Sequence, residues 1–465
     1  MEEKFELQNG QDRISAEAVL QLMEEKQFAT LRLLLSDFPA ADLAELFEDI
    51  PDDKDPLLFR ILPKEIAADV FVEMGTDSQT RLLISFSDRE LSEVMADLYM
   101  DDTVDIIEEM PANVVARILR MASPERRQKI NELLKYPEDS AGSVMTTEFV
   151  QLKKDMTVEE AILAIRRVAL NKETVYTCYV TDTRRRLEGV ITVKTLLLSA
   201  ADTPLYEIME DNVVAAGTLT DKEEVARMFN KYGFLALPVV DAENRLVGII
   251  TVDDALDVMQ EEAEEDFAVM AAVTPTEDPY LRTGVFRIFL SRIPWLLILM
   301  LSATFTGMII SGFESALAAC VALTAFIPML MGTGGNSGSQ SSTTVIRGIS
   351  LGEIEFKDTL RVLFKELRVS ILCGICLAVA TFAKVMLIDA WMLGNPEVTP
   401  MVALVVSLTL LVTVIAAKLI GGLLPVLAKR INLDPAVMAS PFITTLVDAV
   451  SLLVYFAVAR TFLGI

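Results

Sequence analysis

Hydrophobic and polar positions divide the chain near residue 279. Before that point, short apolar stretches alternate with polar residues at helix or strand spacing. After it, apolar runs are long enough to cross a bilayer, which takes about 20 residues each. We predict five spans, at approximately 288–312, 315–335, 363–388, 399–427 and 436–463. The pattern therefore predicts a multidomain chain in which a soluble part precedes an α-helical membrane domain.

Two kinds of structure are predicted in the soluble part. Residues 15–136 contain short amphipathic helices separated by prolines, a pattern typical of an all-α helical stack. Residues 140–262 contain an internal repeat, and each copy predicts a short strand, a helix, two strands joined by a turn, and a final helix. This order resembles a tandem pair of CBS domains, which are α/β regulatory modules.

Many CBS pairs bind adenine nucleotides through a G-h-h-T/S-x-x-D stretch, and this stretch is complete in only one copy. The second copy has Thr251 and Asp254 at the last two motif positions, whereas the first copy has Thr195 where the acid belongs. ATP is therefore a candidate ligand of the second copy, and nucleotide binding is left open.

Charge follows the same division of the chain. The net charge is −26, and residues 1–278 hold 58 of the 67 acidic residues but only 28 of the 41 basic residues. Such an acidic surface concentrates cations and repels phosphate groups, so nucleic acid is not an expected partner. The chain has no histidine, which excludes imidazole metal ligands and histidine acid–base catalysis.

Basic residues between the predicted spans indicate how the membrane domain is oriented. Arg287 and Arg292 lie at the start of the first span, Arg347 lies between the second and third, and Lys429 and Arg430 lie between the fourth and fifth. The connections on the other side have almost no basic residues. The positive-inside rule therefore predicts a multi-pass protein of the cytoplasmic membrane, with its amino terminus inside the cell and its carboxyl terminus outside.

One acidic residue lies in the middle of a predicted span. Asp448 is surrounded by apolar residues in the fifth span and has no basic residue within a turn, which favours a functional role. Pro441, Thr444 and Thr445 share its helical face, and Pro441 is predicted to leave the carbonyl of Val437 without a helical partner. This strip of oxygens suits hard cations such as magnesium, calcium or manganese.

A glycine-rich stretch, residues 328–344, lies near the second predicted span. Its glycines are predicted to break the helix and to bring Asn336 and Gln340 to membrane depth, where irregular backbone is tolerated only inside the protein or beside a wet cavity. Only one carboxylate per chain is available at that depth. A two-fold dimer would place two copies of Asp448 around one axis, as in cation-selective acidic rings.

Acidic residues also cluster on the segment that follows the second repeat. They lie on or beside one face of a predicted helix: Asp254, Asp257, Glu261, Glu262, Glu265 and Asp266. Like charges four residues apart cost a helix about 0.2–0.5 kcal/mol per pair, so cations that screen them should stabilise it. We predict a cation-sensitive element next to the membrane domain; the alternative is a solubilising linker.

These parts, in this order, resemble the MgtE family of magnesium transporters over nearly the whole chain. The resemblance rests on PMLMGTGGNSGSQ (328–340), DPAVMASPFITTLVDAVS (434–451), the CBS pair and the acidic helix. It implies a homodimer. It also implies five segments: a helical N domain (1–137), two CBS domains (138–200 and 201–262), a connecting plug helix (263–285) and a five-helix membrane domain (286–465).

The resemblance also implies roles for individual residues. Asp448 becomes the pore carboxylate that selects hydrated magnesium. The residues implied to line the pore are Asn336, Gln340, Ser440, Pro441, Thr444 and Thr445. The residues implied to bind regulatory magnesium are Asp69, Asp101, Asp105, Asp221, Glu223, Asp254, Asp257, Glu262, Glu265 and Asp266. The chain departs from the family pattern at Ser440, where the family often has asparagine, and near Gly233, where an expected acid is missing.

The expected function is magnesium import across the cytoplasmic membrane through a channel that intracellular magnesium closes. One alternative is a transporter for manganese, cobalt or calcium, because oxygen ligands discriminate poorly among these ions. Another is a membrane-anchored nucleotide or ionic-strength sensor. An enzyme is not expected, because the sequence has neither a P-loop motif nor a histidine.

Overall fold

The computed structural model describes residues 7–8, 11–12, 15–276, 280–281 and 283–464, without the side chains of residues 7–8, 11–12, Glu65, Ala316 and Ser440. The chain folds as two units, Met1–Met259 and Gln260–Ile465. In the amino-terminal unit, strands β1 (Leu7–Gln8) and β2 (Gln11–Asp12) pair antiparallel ahead of a series of short helices.

These helices are seven to ten residues long. They are α1 (Ala16–Glu24), α2 (Phe28–Leu35), α3 (Ala40–Asp49), α4 (Asp55–Ile61), α5 (Lys64–Val72), α6 (Thr76–Ser85), α7 (Asp88–Asp97), α8 (Met100–Glu109), α9 (Ala112–Met121) and α10 (Pro124–Leu133). Pro39, Pro63 and Pro111 stand just before α3, α5 and α9, where a proline ends the preceding helix and starts the next. The predicted helical stack is confirmed.

Aromatic residues form the centre of the helical stack. The rings of Phe47, Phe59, Phe71 and Phe86 contact one another with centroids 5.2 to 6.3 Å apart. The same buried cluster continues into the repeat region through residues such as Met145. The helical stack and the repeats therefore share one hydrophobic core within the amino-terminal unit.

Two three-stranded sheets with the same topology follow. The first contains β3 (Gln151–Lys153), β4 (Thr177–Thr181) and β5 (Leu187–Thr192), and the second contains β6 (Ala216–Gly217), β7 (Ala236–Val240) and β8 (Leu246–Thr251). In each sheet the middle strand pairs parallel with the first strand and antiparallel with the third. Helices α11 (Val158–Val168), α12 (Val193–Leu198) and α13 (Lys222–Tyr232) complete the predicted α/β repeat, which is confirmed.

The acidic segment after the second repeat forms helix α14 (Val252–Met270). It begins directly after β8, ahead of residue 263, where the sequence resemblance placed the start of the connecting helix. It ends where Ala272 adopts a left-handed backbone with φ of 55° and the Val273 amide donates to the Ala268 carbonyl. Residues 277–279 and 282 of the predicted connecting segment lie outside the described part of the chain.

The carboxyl-terminal unit consists of long helices: α15 (Val285–Gly312), the short α16 (Glu314–Ala319), α17 (Ile327–Ser350), α18 (Thr359–Lys384), α19 (Pro400–Arg430) and α20 (Ser440–Leu463). Four segments in the described residues are long and apolar enough to cross a membrane: Val285–Gly312, Phe356–Met392, Pro400–Arg430 and Pro435–Leu463. Helix α17 is the fifth long helix, and it starts later than the span predicted at 315–335. A turn of 3-10 helix (Val321–Phe326) separates it from α16.

The prediction that glycines break the helix at residues 328–344 is wrong, because α17 is continuous through them. The glycines allow close helix packing instead. A Cβ added to Gly334 would lie 2.7 Å from Cγ2 of Thr413 on α19, and one added to Gly338 would lie 2.8 Å from Cγ2 of Ile443 on α20. Small residues are common where membrane helices approach closely, and a continuous helix satisfies the backbone there.

The prediction that Pro441 lies inside a helix and there removes a hydrogen bond to the Val437 carbonyl is also wrong. A 3-10 turn (Pro435–Met438) precedes Ala439, and α20 then begins at Ser440. Pro441 therefore lies in the first turn of α20, where a missing amide hydrogen removes no helical hydrogen bond.

Candidate functional site

Asp448 lies in the middle part of α20, an apolar helix long enough to span a membrane. Its side chain is half-buried in the single chain, and within the described part it forms no hydrogen bond or ion pair. A carboxylate in such a helix is expensive to keep unless it binds or moves something. Its position favours a functional role.

Two threonines share the helical face of Asp448. The hydroxyls of Thr444 and Thr445 donate to the carbonyl oxygen of Pro441 at 2.9 and 3.0 Å. Each hydroxyl oxygen keeps lone pairs that can accept another group or coordinate a cation. The Pro441 carbonyl is already used by both threonines, so the hydroxyls are the better cation ligands of this strip.

Helix α17 lies directly against this face. A Cβ added to Gly335 would lie 2.9 Å from Cγ2 of Thr444. Asn336 and Gln340 are one turn apart on α17 and both are exposed in the single chain. Among the described residues no hydrogen bond joins either side chain to Asp448, so the structure brings the two helices together but not these three groups. The side chain of Ser440 lies outside the described part.

A second acidic group lies in the amino-terminal unit, on α8. Asp101 is only 5% exposed, and its Oδ1 has no hydrogen-bond partner in the described part of the chain. Burial, and then the charge of Asp254, raises the pKa of Asp101 well above its usual range. The same two causes raise the pKa of Asp102 to about 6. They also raise the pKa of Asp105, although that side chain keeps contact with solvent.

Glu173 joins this group, although the sequence analysis did not select it. It lies in the loop before β4, and its Oε2 is buried without a partner. Burial, followed by the charges of Asp102 and Asp254, raises its pKa to about 8. In the sequence, Glu173 is distinguished only by its position before a predicted strand of the repeat. That position is a weak signal for a role in the site.

Asp254 is both part of this acidic group and the acid of the nucleotide motif. Its Oδ2 accepts hydrogen bonds from the backbone amide and the hydroxyl of Thr251. In the first repeat, where the acid is missing, the hydroxyls of Thr192 and Thr195 lie 2.9 Å apart in the corresponding turn. Burial raises the pKa of Asp254, and these hydrogen bonds oppose the increase.

The other predicted sensor acids of this unit differ in surroundings. Asp221 caps α13 by accepting the amide of Glu223 at 2.9 Å, and Glu223 pairs with Arg227 at 3.3 Å, so both have local structural roles. Burial and the charge of Asp253 raise the pKa of Asp257. The charge of Asp69 contributes to the raised pKa of Asp102.

The end of α14 belongs to the carboxyl-terminal unit and carries Glu262, Glu265 and Asp266. Asp266 accepts a hydrogen bond from the hydroxyl of Ser350, the last residue of α17, at 3.0 Å. Burial raises the pKa of Asp266, and Asp434 contributes to the increase. Glu262 is half-buried and Glu265 is exposed. The acidic helix therefore ends against the cytosolic end of α17.

The acids have the right chemistry for magnesium, since hard cations prefer carboxylate oxygens. Burial and like charges raise the pKa values of these acids, and among the described residues Oδ1 of Asp101 and Oε2 of Glu173 have no hydrogen-bond partner, so a bound cation would favour their ionised forms. Within the described residues, no set of three or more acids or cysteines is close enough to hold a metal ion. An ion would therefore have to draw these acids together or bind through its water shell.

Two charged residues inside the membrane helices were not selected from the sequence. Glu366 lies in α18 and Lys418 in α19, and Lys418 is buried. Both lie within predicted spans, so a search of those spans for charge would have found them.

Comparison with known proteins extends this description. Residues 38–139 match the MgtE intracellular N domain, residues 141–202 and 205–261 match CBS domains, and residues 327–458 match the MgtE divalent cation transporter domain. The fold and these matches define a multi-pass membrane protein of the cation-transporter class, with a cytosolic amino-terminal part.

Full-length relatives are similar over almost the whole chain. The chain is 37% identical to the magnesium transporter MgtE of Thermus thermophilus, over 96% of this chain and 98% of that protein. It is 32% identical to the magnesium transporter MgtE of Bacillus subtilis, over 96% of both chains. The chain therefore belongs to the MgtE family of magnesium transporters, and it is a transporter rather than an enzyme.

A solved structure is similar to the cytosolic part. It is the cytosolic domain of the Mg²⁺ channel MgtE in complex with ATP, which is 36% identical and has a TM-score of 0.50. The similarity covers 52% of this chain and all of that one.

Proposed function

We propose that this protein is a magnesium-selective channel that imports Mg²⁺ down its electrochemical gradient and closes when intracellular Mg²⁺ binds its acidic cytosolic residues. The observation that supports it best is Asp448, a carboxylate that has no partner among the described residues and lies in an apolar helix beside the hydroxyls of Thr444 and Thr445. These oxygens suit a hydrated magnesium ion, which sheds its water reluctantly.

The proposed pore requires a homodimer. Each chain supplies one carboxylate on this helical face, Asp448, and Asn336 and Gln340 are exposed on α17 when one chain is considered alone. A two-fold axis beside this face would bring two copies of Asp448 together and cover both amides. In this arrangement Asn336, Gln340, Thr444 and Thr445 line the path, and Pro441 supports the two threonines.

The proposed gate follows from the charges. Without Mg²⁺, repulsion and burial disfavour the ionised form of the α8 group, Asp101, Asp102 and Asp105, and of its neighbours Glu173 and Asp254. Mg²⁺ binding there, and at Asp257, Glu262, Glu265 and Asp266 along α14, would favour a compact closed state. Asp266 and the residues after it contact the membrane helices, so α14 can transmit this change.

ATP is a second proposed ligand of the cytosolic part. The relative crystallised with ATP supports this, as does the complete motif at Thr251 and Asp254 in the second repeat. The hydrogen bonds between these two residues keep the turn in one conformation before a ligand arrives. Isothermal titration of the full-length protein with ATP, compared with Asp254→Asn, tests this proposal.

Magnesium entry into liposomes that contain the purified protein and a trapped magnesium dye tests the pore. Wild type should admit Mg²⁺ at low internal Mg²⁺, and Asp448→Ala should not. Glu397→Gln, which changes an exposed acid in the loop before α19, is the matched control and should behave like wild type. Equal entry through wild type and Asp448→Ala would move the ion path away from Asp448. No entry in any variant would favour an anchored sensor.

A further inference from the structure

A charged side chain is buried among three helices of the membrane unit. Lys418 on α19 is only 5% exposed, although α19 is apolar enough to span a membrane. Its Nζ lies 3.4 Å from the carbonyl oxygen of Ser337 and 3.4 Å from Oγ of Ser341, both on α17. Ionisable residues at this depth are rare and are usually paired.

The partner charge lies on α18, beyond the same serine. The hydroxyl of Ser341 donates to Oε2 of Glu366 at 2.6 Å, and its oxygen accepts from Lys418. Ser341 is itself buried. The stem of Glu366 packs on α19, because a Cβ added to Gly422 would lie 3.1 Å from Cγ of Glu366. One hydroxyl therefore bridges a buried ammonium and a carboxylate, and the three residues join α17, α18 and α19.

Small residues make several of the closest helix contacts around this network. Gly421 on α19 meets the backbone of Gly338 on α17, and Gly374 on α18 meets Leu411 on α19. Such surfaces allow helices to come close, but they do not select one register strongly. Directional hydrogen bonds to a charged group favour one register, as buried polar residues do between paired helices.

The network acts on the part of α17 that carries the pore amides. Ser337 follows Asn336 in the chain, and Ser341 follows Gln340. Because neighbouring residues on a helix point about 100° apart, Lys418 contacts one side of the same two turns that expose Asn336 and Gln340 on another. A shift of α17 by one residue would move both amides relative to Asp448.

We propose that Lys418, Ser341 and Glu366 form a charge clamp that fixes the register of α17, and that they are positioning residues for ion transport. The clamp rests on the proposed pore, since its functional effect is the placement of Asn336 and Gln340. Its charges offset each other inside the protein, so the ammonium does not oppose a cation in the pore as an isolated charge would.

The clamp predicts a specific pattern of coupling. Lys418 is buried and Glu366 is half-buried, so removing the Glu366 charge leaves a buried ammonium without compensation and removing Lys418 leaves a partly buried carboxylate, whereas removing both is often tolerated. Lys418→Met and Glu366→Gln should each lower Mg²⁺ entry at least tenfold, and the double variant should recover to within about threefold of wild type. Lys418→Arg keeps the charge and should retain most of the entry rate.

The test measures Mg²⁺ entry into dye-loaded liposomes as a function of external Mg²⁺ for the full-length protein. Loss of folded protein lowers only the maximal rate, whereas a shifted α17 also raises the half-saturating Mg²⁺ concentration. Ser341→Ala should raise the half-saturating Mg²⁺ concentration, and the matched control Ser407→Ala should leave it unchanged. Ser407 is a buried serine of α19 whose hydroxyl donates to the Ala403 carbonyl of its own helix.

The outcomes separate the clamp from the pore. Recovery in the double variant, with altered half-saturation in the single ones, supports the clamp. Single variants that match wild type, or a double variant as impaired as the worse single one, would overturn it while the pore stands. If a single variant does not purify as a monodisperse protein, stability replaces transport as the measurement. The wild type and the variants are then heated in detergent, and the double variant should stay monodisperse to a higher temperature than either single variant. If the wild type admits no Mg²⁺, the proposed pore is refuted. The clamp is then tested by the monodispersity of the variants after heating.

Discussion

Replacing Asp101 by asparagine keeps the shape of the side chain but removes its ability to ionise. Asp101 is 5% exposed, and one of its oxygens lacks a hydrogen-bond partner. A buried polar group left unsatisfied costs about 1–3 kcal/mol, and more when it is charged. Asparagine stays polar but cannot ionise, so without metal ions, and at a pH above the folded pKa of Asp101, Asp101→Asn should stabilise the surroundings of α8 by about 1–3 kcal/mol, which slows local opening about 5- to 150-fold.

The pH dependence has a definite sign. A carboxyl whose pKa is raised by folding binds more protons in the folded state, so stability is lost as pH rises from its unfolded pKa to its folded pKa. Burial raises the pKa of Asp102 to about 6 and that of Glu173 to about 8. Metal-free wild type should therefore lose protection at α8 between about pH 4 and pH 8, and Asp101→Asn should lose less.

Hydrogen–deuterium exchange of the full-length protein in detergent checks both expectations. Peptides covering α8 are compared in EDTA and in Mg²⁺, after correction for the intrinsic pH dependence of exchange. Mg²⁺ should slow exchange strongly in wild type and weakly in Asp101→Asn. Asp37→Asn, which alters an exposed acid between α2 and α3, is the matched control. The reasoning fails if Asp101→Asn exchanges faster than wild type in EDTA, or if Mg²⁺ protects both equally.

Two further predictions concern packing and gating. Gly421→Ala should lower the thermal stability of the protein in detergent by about 1–3 kcal/mol, because the new methyl would meet the Gly338 backbone, whereas Gly332→Ala has open space and should not. Magnesium entry should persist at high internal Mg²⁺ when three sensor acids are neutralised; retained closure would contradict their role. The three changes are Asp254→Asn, Asp257→Asn and Glu265→Gln.

The arrangement of the fold was largely predictable from periodicity. The helical stack, the two α/β repeats and most membrane helices follow from the spacing of apolar residues and prolines. Helix α17 was misplaced because isolated glycines signal a break in water-soluble proteins. Within a membrane the backbone has no water to bond, so glycines favour close packing of a continuous helix.

The candidate sites were predictable only where a charge stands out from its neighbours. Asp448 is conspicuous in an apolar run, and the acids of α14 form a dense series. Glu173 is a single acid in a polar loop, and its approach to α8 depends on tertiary packing. Pro441 was misread because local sequence does not show that a 3-10 turn ends three residues earlier, at Met438.

The energy required for gating explains why the proposed sensor uses many acids. Moving a two-state equilibrium from 1:99 to 99:1 takes a differential binding energy of about 5.5 kcal/mol. Relief of one unsatisfied buried carboxylate supplies about 1–3 kcal/mol, so a single acid is insufficient. The α8 group alone brings Asp101, Asp102 and Asp105 close to Glu173 and Asp254, and each has a raised pKa. In the proposed mechanism, several weakly bound ions therefore act on one equilibrium and close the channel steeply, and each site releases its ion readily when internal magnesium falls.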